Sequence, residues 1–100
     1  MKIYYGKAVY DNKEISAVLK VLKNKQLNLI DGPAVKELEG KIAKLFGKKY
    51  GLMVNSGSSA NLLGLASFNF KKGSEVITPS LTFSTTVSPI YQLGLVPHFI

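Results

Sequence analysis

Cysteine is absent from this 100-residue chain, which rules out disulfides, thiolate chemistry and Cys-based metal sites and suits a cytoplasmic protein. Arginine is absent too: all thirteen basic residues are lysines, and eleven lie in residues 1–50. Base readout and bidentate phosphate clamping favour Arg. Lys20, Lys23, Lys36 and Lys44 fall opposite the apolar stripes of their segments. The net charge of +7 therefore reads as a solvated surface, and no nucleic-acid partner is expected. No apolar run approaches the roughly 18–20 residues of a membrane span. Lys2 and Lys7 among tyrosines lack the apolar core of a signal peptide. No membrane association is expected.

Catalytic signatures are equally sparse. There is no P-loop, no Gly-x-Gly-x-x-Gly dinucleotide fingerprint and no Gly-x-Ser-x-Gly nucleophile elbow. Asp11, Glu14, Asp31, Glu37, Glu39 and Glu75 suit caps, helix surfaces and a strand edge, so no carboxylate pair suggests acid–base work. The lone His98 lacks a partner at metal-ligand spacing, and no metal site is expected. Nothing marks Lys48 or Lys49 as an activated nucleophile.

What remains is a globular composition, 46% hydrophobic, enough for a core. Asp11 and Glu14 form a capping box ahead of Ile15, Val18, Leu19 and Leu22 at i, i+3, i+4, i+7, which predicts an amphipathic helix to about Lys23. After a polar connection, Pro33 stands where a first helical residue tolerates proline. Val35, Leu38, Ile42, Leu45 and Phe46 continue that helix to Gly47, a C′ stop. From residue 48 the grammar becomes β-α-β-α-β. A strand over Tyr50–Val54, buried on both faces, leads to an apolar, covered helix over Ser59–Phe68. Lys71-Lys72-Gly73 turns the chain into a strand over Glu75–Thr78. A helix over Thr82–Gln92 and a third strand over Leu95–Ile100 complete the pattern, which is that of an α/β fold with a parallel sheet. Because the chain stops within an apolar strand, it is expected to be a piece of something larger.

The most informative stretch is Asn55-Ser56-Gly57-Ser58-Ser59-Ala60-Asn61, between the first strand and its helix. The unpaired amides of a helix start carry partial positive charge and hold phosphate without a basic side chain. Gly57 admits close backbone approach, and Ser58 and Ser59 add hydroxyls. The same residues also suit an ordinary serine N-cap. Phe83 follows the second strand, and ligands in open α/β sheets bind beyond strand carboxyl ends. Its ring reads either as a plate for a flat heteroaromatic ligand or as a core residue.

At these motifs the chain resembles the DegT/DnrJ/EryC1/StrS family of pyridoxal-phosphate-dependent nucleotide-sugar aminotransferases. The resemblance rests on Asp31-Gly32-Pro33-Ala34-Val35-Lys36-Glu37-Leu38-Glu39, on Val54–Leu62, on Pro79–Thr86 and on Gly94-Leu95-Val96-Pro97, in order along the whole chain. It implies the N-terminal part of a large domain of the aspartate aminotransferase fold (fold type I). Residues 1–47 would then be N-terminal helices, and 48–100 the start of the sheet with the cofactor-phosphate site. It implies that Ser58 and Ser59 hold the phosphate of pyridoxal phosphate (PLP) or pyridoxamine phosphate (PMP), and that Phe83 stacks on the pyridine ring. Ser58 stands where Thr is commoner and keeps the hydroxyl.

The wording Ser58–Leu63 and Thr85–Ile90 looks closest to a subgroup that includes CDP-4-keto-6-deoxyglucose 3-dehydrases, which carry a His in place of the Schiff-base Lys. The resemblance further implies a nucleotide-sugar substrate, a homodimer and a role in deoxysugar or cell-surface polysaccharide synthesis. The family's Schiff-base Lys or His and its pyridine-nitrogen Asp fall outside these hundred residues, so no catalytic residue is assigned and the chain alone is expected to be inactive. A reading independent of the resemblance is a self-contained phosphate-ligand module without catalysis.

Overall fold

The computed structural model describes residues 3–100. The chain divides into two compact units, the first ending at Leu52 and the second spanning Met53–Ile100.

In the first unit, α1 spans Asn12–Lys23 behind the N-cap Asp11. The Asp11 carboxylate accepts the Lys13 N–H at 2.7 Å, and the Glu14 carboxylate accepts the Asp11 N–H at 2.8 Å. Two donors that a helix start leaves orphaned are thereby satisfied. The apolar stripe Ile15, Val18, Leu19 and Leu22 remains 44–58% exposed.

Helix α2 spans Pro33–Leu45 behind the N-cap Gly32. Gly32 is buried, and a Cβ on it would stand 2.2 Å from the Asn28 carbonyl oxygen. Its glycine is thus a requirement of close approach. At the other end Gly47 adopts φ +62°, the left-handed conformation that ends helices. Gly47 N–H bonds the Lys44 carbonyl at 3.1 Å and Lys48 N–H the Ala43 carbonyl at 2.8 Å, the paired bonds of a Schellman ending.

On the α2 surface, Lys41 pairs with Glu37 at 2.5 Å, and Lys36 with Asp31 at 2.8 Å. The hydrogen bond from Lys41 holds the Glu37 carboxyl below its ordinary value. The hydrogen bond to Asp31 raises Lys36, with the charges of Asp31 and Glu39 adding to it.

The second unit holds helix α3 (Gly57–Ser67), strand β1 (Glu75–Thr78), helix α4 (Ser84–Gln92) and strand β2 (Val96–Phe99). The strands pair in parallel, Val76 opposite Pro97 and Ile77 opposite His98, with α4 as the crossover. Val96 and Ile100 donate to the carbonyls of Ser74 and Thr78 at 2.9 and 3.1 Å. Alternation then turns the Pro97 nitrogen away from β1, where its missing N–H removes no ladder bond.

Helix α4 packs on both strands and on α3. Its Pro89 and Ile90 are buried, as are Thr78 and Leu95 of the same unit. Pro89 removes one helical N–H. The neighbouring Ser88 hydroxyl bonds the Ser84 carbonyl at 2.7 Å, so that turn stays closed.

Four expectations are corrected. Tyr50–Val54 forms no strand, and its apolar side chains are not covered: Tyr50 and Leu52 are 77% and 79% exposed. A parallel strand needs a neighbouring strand for its amides, and among the described residues only β1 and β2 pair. The sheet therefore has two strands, and the expected third strand is β2. The apolar helix begins at Gly57 rather than Ser59, because the cap is Ser56. It is also not covered: α3 packs on α4 and on no strand, and it has no buried residue. The last helix begins at Ser84 rather than Thr82.

Candidate functional site at the start of α3

Ser56 is in extended conformation, φ −161°, and its hydroxyl oxygen accepts the Ser59 N–H at 3.1 Å. The Ser56 and Ser59 hydroxyls also lie 3.1 Å apart. The serine turn is thus an N-cap, one of the two readings its residues allowed. The cap takes the Ser59 amide and leaves those of Gly57 and Ser58. Gly57 and Ser58 occupy the first two helical positions, where no carbonyl one turn back within the helix reaches their amides. Those two N–H groups lie at the positive end of the α3 dipole.

Apart from its chain neighbours and its own helix backbone, no atom of the described residues lies within 4 Å of where a Gly57 Cβ would stand, and its φ is not positive. Nothing in the described fold demands glycine here. The open space over its Cα, beside amides without intrahelical partners, fits an anion resting on the backbone.

Ser58 and Ser59 open onto a groove of about 220 Å³ between α3 and α4, lined also by Leu62, Thr85, Ser88, Pro89 and Gln92. Its walls carry hydroxyls, one amide and apolar carbons, with no charged side chain. A phosphate held here would be held by backbone dipole and hydroxyls. Thr85, Ser88 and Gln92 were not among the residues marked from sequence. Their signal was present: 85, 88, 89 and 92 follow i, i+3, i+4, i+7 on one helix face.

Phe83 is the N-cap of α4, 74% exposed, and does not line the groove. Its carbonyl accepts the Thr86 N–H at 2.9 Å, and the Thr82 hydroxyl bonds that of Thr86 at 3.0 Å. The fold thus brings Gly57, Ser58 and Ser59 together at one helix start and leaves the Phe83 ring in solvent at the start of another. His98 is exposed on β2 opposite Ile77. Among the described residues no three His, Cys, Asp or Glu side chains are grouped to hold a metal ion. Nor is any helix among them long and apolar enough to cross a membrane.

Comparison with known proteins places this geometry in context. Residues 9–100 match the DegT/DnrJ/EryC1/StrS aminotransferase family. A GDP-4-keto-6-deoxy-D-mannose 3-dehydratase from Yersinia pseudotuberculosis is 38% identical over 99 residues, covering 93% of this chain and 25% of the relative. The solved GDP-4-keto-6-deoxy-D-mannose 3-dehydratase of E. coli, with bound hydrated PLP, superposes with a TM-score of 0.81 at 40% identity, over 94% of this chain and 25% of its own. A Streptococcus pneumoniae protein described as a sugar aminotransferase, in its PMP form, superposes with a TM-score of 0.83 at 26% identity, over all of this chain and 25% of its own.

The chain thus spans about a quarter of the length of the relatives it matches. The fold is that of PLP-dependent aminotransferase-type enzymes, of which it supplies a small part. These dehydratase relatives are GDP-4-keto-6-deoxy-D-mannose 3-dehydratases, in line with the 3-dehydrase subgroup whose wording Ser58–Leu63 and Thr85–Ile90 resemble. Since the family match runs over residues 9–100, well over half of the chain, the chain belongs to the DegT/DnrJ/EryC1/StrS aminotransferase family.

Proposed function

We propose that this chain carries the phosphate-anchoring part of a PLP- or PMP-dependent enzyme acting on a nucleotide-linked keto-deoxysugar, as a 3-dehydratase or an aminotransferase. Supporting this reading are the names of the relatives and the cofactors held by their solved structures. The observation that carries the site is the helix start itself. Gly57, Ser58 and Ser59 are the first three residues of α3, and open space lies above Gly57.

In this reading the Gly57 and Ser58 amides and the Ser58 and Ser59 hydroxyls hold the phosphate, and Phe83 packs on the pyridine ring. When bound, the cofactor supplies the electron sink for chemistry beside the sugar carbonyl. This chain's residues bind and orient it, and none of them is assigned a proton-transfer role. Residues 1–47 act as N-terminal helices and 48–100 as the start of the cofactor domain. The working enzyme is a cytoplasmic homodimer with a nucleotide-sugar substrate and no nucleic-acid or membrane partner.

The test uses PMP rather than PLP, because an aldehyde would react with the thirteen lysines. Backbone amide shifts are followed by NMR during titration with PMP and, separately, with pyridoxamine, which lacks the phosphate. Shifts centred on Gly57, Ser58 and Ser59 with PMP alone are expected, reduced at least several-fold in Ser58→Ala. Equal responses to both compounds, or shifts confined to the lysine-rich helices, would overturn the assignment.

A further inference from the structure

We draw no further inference here: the strongest candidate, the open outer edge of β1 with the exposed Ile77 side chain, is an unpartnered apolar edge, and nothing in the structure shows what covers it.

Discussion

The Ser56 hydroxyl takes the Ser59 N–H at 3.1 Å, so one of the amides expected to meet a phosphate is already occupied by the helix cap. An anion at this helix start is therefore left with the Gly57 and Ser58 amides, or must displace the cap from Ser59. Cap and ligand share one set of donors, and substitutions at Ser56 separate them.

Ser56→Ala is expected to lower the stability of the chain by about 0.5–2 kcal/mol, the usual loss for an N-cap hydroxyl, read by urea unfolding. Ser56→Asp keeps a capping oxygen and places a negative charge beside the phosphate position. It is expected to retain stability while weakening PMP binding. If Ser56→Asp bound PMP as tightly as the native chain, the phosphate would not sit at this helix start.

Gly32→Ala is expected to destabilise the first unit by about 1–3 kcal/mol, in the range of overpacked sites. The cause is contact, not torsion: the φ of Gly32 is −77°, open to any residue, but the new Cβ would stand 2.2 Å from the Asn28 carbonyl oxygen. Thermal unfolding followed by circular dichroism reads the loss. An unchanged midpoint would mean that the 28–32 turn shifts freely.

Thr78→Val is expected to stabilise the second unit by about 1 kcal/mol, since a buried hydroxyl without a partner carries an uncompensated desolvation penalty. Thr78 is 3% exposed, and its hydroxyl has no hydrogen-bond partner among the described residues. Valine keeps the shape and the β-branch. Chemical denaturation decides the sign, and a clear loss of stability would reveal a partner for that hydroxyl.

The ion pairs on α2 predict a broad pH plateau. Glu37 is held below its ordinary value by Lys41, so its contribution is present above the unfolded carboxyl pKa and is lost as pH falls through the lower, folded one. Lys36 is raised by Asp31, so its contribution is present below the unfolded lysine pKa and is lost as pH rises through the higher, folded one. Both pairs are exposed and screened by salt. Helicity of α2, followed by NMR chemical shifts, is expected to decline slightly at both extremes at low ionic strength. In Lys41→Ala the acid-side decline is expected to vanish. Its persistence would assign it to another group.

Much of the local architecture was legible in the residues. Asp11 with Glu14, Pro33 and Gly47 marked ends of α1 and α2, because each acts through bonds reaching no more than four or five positions along the chain. Ser56 was legible as a cap for the same reason, and the helix start moved by two residues once its hydroxyl was seen to reach Ser59. Tyr50–Val54 misled because an apolar run reports only that a segment suits burial. Whether it becomes a strand depends on pairing with a neighbouring strand, and among the described residues only β1 and β2 pair.

By itself, the sequence determined the helix caps, the anion-suited turn at Gly57–Ser59 and the family likeness, since all three are written in short runs of adjacent residues. Only the tertiary structure decided that β1 pairs with β2, that α3 leans on α4 rather than on a sheet, and that Thr85, Ser88 and Gln92 share a groove with Ser58 and Ser59. Those outcomes rest on contacts between residues far apart in the chain. Packing selects such contacts, and local propensity does not encode them.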